Sequence, residues 1–223
     1  MTLKAAVFAS GRGSNLQVLA EYSAKADPRL WEVALLVTDR ADAHVLDRAR
    51  ALAIPSVVLA PGSMKDGEAV FPERMRAVLE AAEIDLILLA GYLKLVPEGT
   101  VRHYRGRMLN IHPALLPGFG GKGMYGRRVH EAVLESGARV SGVTVHFVGE
   151  EYDRGRILAQ WPVPVLAGDT PESLAARVHE VEHALYPAAV DRLAEALGEG
   201  TEAASIPGPS LECFGLMSGP PYV

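Results

Sequence analysis

Asn110 and His112 are two polar residues, two positions apart, whose side chains could act together on a bound molecule. They lie in the run 108–113, which predicts a short buried strand that ends at a proline, because proline cannot donate to a central sheet ladder. Side chains alternate along a strand, so both residues point to one face while Leu109 and Ile111 point to the other. An amide can donate to an oxygen that gains charge, and an imidazole can donate, accept or carry a proton near neutral pH. The pair indicates acid–base or oxyanion chemistry, although both residue types also satisfy backbone groups at the ends of ordinary strands.

A glycine-rich run, Ser10-Gly11-Arg12-Gly13-Ser14-Asn15, follows the first predicted strand and precedes the first predicted helix. Glycine lets backbone N–H groups approach an anion, and a helix N-terminus favours negative charge, so the run predicts a phosphate cradle. A dinucleotide site is an alternative, with Asp39 after the second strand as its acidic residue. That fingerprint needs a third glycine where Leu16 stands, which favours a smaller phosphorylated ligand.

A third motif, His179-Glu180-Val181-Glu182-His183, matches the H-E-x-x-H pattern of zinc proteases. On a helix it would place His179 and His183 on one face, with Glu180 as the base. The segment has no clear third ligand, and Tyr186 stands where the metzincin continuation needs glycine. Since Glu182 lies at the margin of the helix's apolar stripe, we expect it to be half-buried.

The elements that must position these residues alternate between strands and helices. Strands are predicted over 5–9, 31–37, 54–59, 85–90, 108–113, 139–148 and 157–165, and helices over 16–25, 42–52, 68–82 and 127–135. A last long helix is predicted to begin with Asp169 as its cap and Pro171 in its first turn. This alternation is typical of an α/β, doubly wound, mostly parallel sheet. We expect the sheet to be mixed at its C-terminal edge, where Pro162 and Pro164 mark the last strand as an edge.

Composition restricts the class of protein. Apolar residues make up 49% of the 223-residue chain and charged residues 22%, as in a globular domain. The net charge of −5 gives no reason to expect a nucleic-acid partner, and no apolar run is long enough to span a bilayer. The single cysteine, Cys213, and an N-terminus without signal-peptide anatomy lead us to expect a cytoplasmic protein.

Taken together, the motifs resemble those of the phosphoribosylglycinamide formyltransferases, a folate-dependent family. The resemblance covers roughly residues 5 to 197 and rests on these segments, in family order: G-R-G-S-N from Gly11, L-A-G-Y from Leu89, N-I-H-P-A-L-L-P from Asn110, V-T-V-H-F-V from Val143, D-x-G from Asp153, and E-H-A-L-Y-P from Glu182. The block from Asn110 is specific for folate-dependent formyltransferases. The block from Gly11 narrows the resemblance to the glycinamide-ribonucleotide branch.

The resemblance implies a formyltransferase-type Rossmann-like fold and formyl transfer from 10-formyltetrahydrofolate, a co-substrate, to glycinamide ribonucleotide in purine biosynthesis, without a metal. It implies roles for three groups of residues: Asn110, His112 and Asp153 are catalytic; Gly13, Ser14, Asn15 and Glu182 bind the ribonucleotide; and Leu93, Lys94, Leu95, Val96, Asn110, Glu150, Glu151 and Tyr152 bind the folate. An Asp153 carboxylate near His112 is expected to raise the pKa of the imidazole. Two residues depart from the family pattern: Lys94 replaces a common arginine, and Arg156 replaces an apolar residue or proline.

Other folate-dependent formyltransferases and a formyl-folate hydrolase are the alternatives within the fold, and both would need a further domain. We expect one formyltransferase domain over 1–197 and a Gly/Pro-rich C-terminal tail over 198–223 that is dispensable. The expected partners are small molecules only, with neither nucleic acid nor a membrane, and the chain is expected to be a monomer or homodimer.

Overall fold

The computed structural model describes residues 2–60 and 70–204 and shows seven strands in a single sheet. The strands are β1 (Leu3–Phe8), β2 (Trp31–Thr38), β3 (Ser56–Val58), β4 (Leu86–Leu89), β5 (Met108–His112), β6 (Val140–Phe147) and β7 (Ile157–Pro164). The helices are α1 (Ser14–Lys25), α2 (Val45–Ala51), α3 (Phe71–Ala81), α4 (Glu98–His103), α5 (Arg127–Glu135) and α6 (Pro171–Gly198). Among the described residues, no helix is both long enough and apolar enough to cross a membrane.

The strand order β3-β2-β1-β4-β5-β6-β7 confirms the doubly wound sheet. The first five strands in chain order pair in parallel, whereas β6 pairs antiparallel with β5 and with β7. The sheet is therefore mixed only toward the C-terminal edge, as predicted, and β7 with its two prolines is that edge. The chain reverses its direction of winding between β1 and β4. In such sheets, ligands bind in the crevice at the carboxyl ends of the strands beside this reversal.

Apolar side chains cover both faces of the sheet. One cluster contains Leu109 and Ile111 of β5 together with residues of α1, α5 and α6. The other contains Met108 of β5 together with residues of α3 and α4. The alternation predicted for β5 is confirmed, because Asn110 and His112 share the face of Met108.

The long helix α6 is fixed to the sheet by Tyr186, whose side chain is fully buried. Its hydroxyl lies 3.0 Å from the carbonyl oxygen of Leu89 at the end of β4 and 3.3 Å from that of Leu109 in β5. These contacts set the rotation of the helix, so that Glu182, one turn earlier, faces the carboxyl ends of the strands.

One local prediction was wrong and one helix was missed. The cap of α6 is Thr170, whose side chain accepts from the backbone N–H of Ser173, while Asp169 instead binds Arg177 with two contacts of 2.8 Å. Helix α4 was not predicted, because only Pro97 before it, Glu98 in its first turn and Arg102 and His103 in its last turn mark its ends. The predicted start of α3 at residue 68 lies outside the described residues.

Candidate active site

A cavity of about 890 Å³ opens at the carboxyl ends of β1, β4 and β5. Every residue for which the sequence predicted a site role lines this cavity, with one exception. The exception is Glu150, whose carboxylate lies 3.6 Å from Nε of Arg102 on α4. The fold thus brings together residues from five separate segments of the chain.

Asn110 and His112 meet Asp153 at the inner wall of the cavity. Nδ1 of His112 lies 3.7 Å from Oδ2 of Asp153, and Nδ2 of Asn110 lies 3.4 Å from Oδ1 of the same carboxylate. The turn before β7 holds Asp153 at φ 55°, a left-handed conformation that aspartate tolerates better than most residues. A backbone N–H, that of Gly121, also donates to Asp153 over 2.8 Å.

A residue that the sequence analysis did not place in the site, His146, completes this group. Asn110 and His146 are paired across β5 and β6, and their Nδ2 and Nε2 atoms lie 3.0 Å apart. Nδ1 of His146 faces the carbonyl oxygen of Phe147 at 2.9 Å and must donate to it, so a neutral ring leaves Nε2 to accept from Asn110. Both hydrogens of the Asn110 amide are therefore engaged, one by His146 and one by Asp153.

The imidazole of His112 is only 3% exposed, and its environment acts on its pKa in two directions. Burial disfavours the charged ring and lowers its pKa, whereas Asp153 and the carbonyl oxygen of Phe119, 2.8 Å from Nε2, raise it. Burial prevails, and the pKa lies below its ordinary value. The expected effect of Asp153 is confirmed in direction, because the carboxylate raises the pKa of His112, but the sequence pattern gives no measure of the burial that outweighs it.

The pKa of Asp153 is affected by the same balance. Burial raises its pKa, but the His146 side chain, the N–H of Gly121 and the charge of His112 together hold it below the ordinary value. The Asp153 anion therefore lies between the rings of His112 and His146, with the amide of Asn110 beside it.

The glycine-rich run forms the second wall of the cavity. Gly13 precedes α1 at φ 76°, and a Cβ atom at this position would overlap the side chain of Val45. No side chain in the part of the chain that the structure describes caps α1, so its first backbone N–H groups are available to bind an anion. Asn15 reaches Glu182 of α6 over 3.3 Å, which joins the start of α1 to the last helix.

The two histidines of the H-E-x-x-H motif lie beside this wall, with ring centroids 4.7 Å apart. The first, His179, has its Nε2 at 2.6 Å from Oγ of Ser14 and its Nδ1 at 2.8 Å from Oε2 of Glu182. Bonding to Glu182 raises the pKa of His179, while burial lowers that of His183. Glu182 is 5% exposed rather than half-buried, because it accepts from both Asn15 and His179. Among the described residues, no three His, Cys, Asp or Glu side chains are grouped to hold a metal ion.

The loop after β4 forms the third wall and is apolar. Leu93 and Leu95 are 38% and 52% exposed and line the cavity, while Val96 turns into the core. The cavity is also lined by Lys94, which lies between them in sequence, and by Glu151 and Tyr152. The wall is suited to a flat, partly apolar ring that is held by a few polar groups.

Comparison with known proteins agrees with this arrangement. A family model described as formyl transferase matches residues 3–190. The chain belongs to the formyl transferase family. It is 50% identical over 192 residues to a protein of Arabidopsis thaliana named phosphoribosylglycinamide formyltransferase, chloroplastic, covering 86% of this chain and 65% of that one. It is 38% identical to the phosphoribosylglycinamide formyltransferase of Bacillus subtilis, with 85% and 94% covered.

Solved structures of the formyl transferase family share this fold. The glycinamide ribonucleotide transformylase 1 of Symbiobacterium toebii superposes with a TM-score of 0.80 at 37% identity, covering 87% of this chain and 89% of that one. The phosphoribosylglycinamide formyltransferase of Brucella melitensis gives a TM-score of 0.78 at 39% identity, covering 87% and 96%. The chain spans less than two thirds of the length of the plant relative, 65%, and 20% of the trifunctional purine biosynthetic protein of Gallus gallus.

Proposed function

We propose that this protein transfers the formyl group of 10-formyltetrahydrofolate to the amine of glycinamide ribonucleotide, a step of purine biosynthesis. The observation that carries the proposal is the convergence of Asn110, His112 and Asp153 within one cavity that also has an anion-binding wall and an apolar wall. The names of the relatives support the same reaction.

The proposed roles of the two binding walls follow from their chemistry. Gly13, Ser14 and Asn15 bind the phosphate of the ribonucleotide through the start of α1, and Glu182 accepts from its ribose hydroxyls. Leu93, Lys94, Leu95 and Val96 hold the folate ring on one side, with Glu151 and Tyr152 on the other. Glu150 contributes indirectly by linking this turn to Arg102.

The reaction forms one C–N bond and breaks another. The free amine attacks the formyl carbon and gives a tetrahedral species with a negatively charged oxygen. Collapse then releases the folate N10, which takes up the proton that the amine has lost. No net proton is consumed, so the site needs only to stabilise the oxyanion and to move a proton between two nitrogens.

Asn110 and His112 are suited to the oxyanion. The weaker contact of Asn110, at 3.4 Å from Asp153, is the one that a formyl oxygen replaces. His112 has acceptors at both nitrogens, Phe119 and Asp153, so a negative charge developing nearby favours its protonated form in the transition state. Asp153 holds the water that relays the proton from the amine to N10.

We propose that the reaction proceeds without a metal, because both nitrogens of His179 are directed to protein partners, Ser14 and Glu182. The decisive experiment is to incubate the chelator-treated protein with both substrates and to measure formylglycinamide ribonucleotide by mass spectrometry. We expect product and tetrahydrofolate in equal amounts. Tetrahydrofolate released without the ribonucleotide would indicate a hydrolase, and activity restored only by Zn²⁺ would indicate a metalloenzyme.

The organisation of the protein is also proposed. We infer one catalytic domain over 1–197 followed by a tail, a monomer or homodimer, small-molecule substrates only, and a cytoplasmic location. Two plant relatives carry chloroplastic in their names. Sedimentation of the purified chain tests its oligomeric state, and fractionation of source cells tests its location.

A further inference from the structure

The loop that lines the apolar wall is attached to the end of β1 at three successive residues. The carbonyl of Gly91 accepts from the backbone N–H of Ser10 over 3.1 Å, and the N–H of Leu93 donates to Oγ of Ser10 over 3.0 Å. Between them, the ring of Tyr92 packs edge-on against Phe8, with centroids 5.2 Å apart. Ser10 therefore makes both polar attachments.

A buried carboxylate fixes the direction of the Ser10 hydroxyl. Ser10 is 4% exposed, and its Oγ donates to Oδ1 of Asp39 over 2.5 Å. A hydroxyl has one hydrogen, so donation to Asp39 leaves a lone pair for the N–H of Leu93. Asp39 was an acidic candidate for a dinucleotide ribose in the sequence, but it is 9% exposed and faces Ser10.

The position of Ser10 gives this contact a consequence for binding. Ser10 lies where the winding of the sheet reverses, between β1 and β4. The next residue, Gly11, begins the anion-binding wall. Leu93 and Leu95 are exposed and belong to neither apolar cluster of the described residues, so the backbone attachment sets where they lie. A loop that must present a flat apolar wall binds more tightly when it is already in place.

We propose that Ser10, oriented by Asp39, is a positioning residue that holds the loop 91–96 ready for the folate. This inference rests on the proposed function for the identity of the ligand. It assigns to Ser10 and Asp39 an effect on the folate alone, although Ser10 is adjacent in sequence to the phosphate wall.

The test compares Ser10→Ala, Asp39→Ala and Asp39→Asn with the wild-type protein. For each, the Kd of 10-formyltetrahydrofolate is measured by titration, together with both KM values, kcat and the midpoint of thermal unfolding. We expect Ser10→Ala and Asp39→Ala to raise the Kd and KM of the folate about three- to tenfold, the range for losing one positioned hydrogen bond. The KM of the ribonucleotide should change less than twofold. Asp39→Asn keeps an acceptor oxygen and should restore the wild-type folate Kd.

A matched control is Ser23→Ala, because Ser23 is also buried, at 3% exposure, and donates to the carbonyl of Ala20 within α1, away from the cavity. It should lower the unfolding midpoint without a change in either KM. An unchanged folate Kd in Ser10→Ala, or an equal rise in both KM values, would overturn the inference. If Ser10→Ala does not fold, Asp39→Ala is judged by the same criteria. A wild-type protein that binds the folate but transfers no formyl group would overturn the proposed function, while the Kd values would still decide the inference.

Discussion

Oδ2 of Asp153 lies 3.7 Å from Nδ1 of His112, although the two residues are in different segments and only the fold brings them together. The contact is longer than a hydrogen bond, and burial keeps the pKa of His112 below its ordinary value in the free protein. In the proposed mechanism, the carboxylate stabilises a charge that His112 acquires during the reaction.

Asp153→Asn should lower kcat by about 10²–10⁴, the range for losing a positioned acid–base group. Asparagine tolerates the left-handed backbone at φ 55° and can still accept from Gly121, so the turn should be preserved. Both KM values should change little, because the charge acts in the transition state. The titration of His112, followed by NMR, should shift to lower pH.

Asp47→Asn is the control for this substitution, since Asp47 pairs with Arg50 on the surface of α2 and does not line the cavity. Its kinetics should match those of the wild type. A nearly normal kcat in Asp153→Asn, with an unmoved His112 titration, would remove Asp153 from the mechanism.

Local patterns in the sequence were sufficient to predict the sheet and to predict that Asn110 and His112 lie on the same face of their strand. Both follow from the period of two along a strand and from the alternation of strands with helices. The capping of α6 was misassigned, because Asp169 and Thr170 are both good caps and the choice depends on Arg177, which takes Asp169.

The partners of the site residues could not be predicted in the same way. His146 and Ser10 act through residues on neighbouring strands or loops, and strand order is not a property of any one segment. His146 had one signal in the sequence, since it is a polar residue between the apolar residues Val145 and Phe147 of a predicted strand. No signal in the sequence indicated the lowered pKa of His112, because that pKa depends on how deeply the whole fold buries the ring.

Gly13→Ala should raise the KM of the ribonucleotide far more than that of the folate. The new Cβ would overlap Val45, and the backbone at φ 76° disfavours any side chain, so the first turn of α1 must shift. A smaller fall in the unfolding midpoint should accompany the change. Steady-state kinetics with each substrate varied in turn measures the difference.

Gly11→Ala is the matched comparison, because a Cβ there meets no atom of the described residues within 4 Å. It should leave the backbone of the first turn of α1 in place and give a much smaller change in the KM of the ribonucleotide. Equal rises in the KM of both substrates in Gly13→Ala would contradict a phosphate site at this helix.

Truncation should show that residues 198–204 stabilise the fold, whereas the residues after 204 are dispensable. Thr201 donates to the carbonyl of Ala196, Ala203 is 3% exposed, and its carbonyl accepts from Arg156 over 3.1 Å. Arg156, a departure from the family pattern, also stacks on Phe147 at 4.4 Å. A chain ending at residue 204 should retain the wild-type unfolding midpoint and activity.

A chain ending at residue 197, which the sequence suggested would be unaffected, should instead unfold several degrees lower, since about 1–2 kcal/mol of burial and hydrogen bonding is lost. Arg156→Leu in the full chain should reproduce part of this fall, because it loses the contact with Ala203. Identical midpoints for the two truncated chains would show that residues 198–204 contribute nothing to stability.

His179 should make the binding of the ribonucleotide depend on pH. Its ring joins Ser14 to Glu182, and Glu182 raises its pKa, while burial and Arg12 act in the other direction. The charge of His179 in turn lowers the pKa of the neighbouring His183. The His179 cation is present below its raised pKa and is lost as the pH rises through it. A phosphate dianion at the start of α1 should thus bind more weakly above that pH.

The measurement is the KM of the ribonucleotide between pH 6 and 9 for the wild type and for His179→Gln, which keeps a side-chain donor but cannot be charged. The phosphate also titrates, near pH 6, so the effect of His179 is the difference between the two profiles. We expect the wild-type KM to rise about three- to tenfold across the titration of His179 and the variant to be flatter, as for the loss of one charge-assisted contact. His103→Gln, on the surface of α4, should give the wild-type profile. Parallel profiles for the wild type and His179→Gln would show that His179 carries no charge that the phosphate senses.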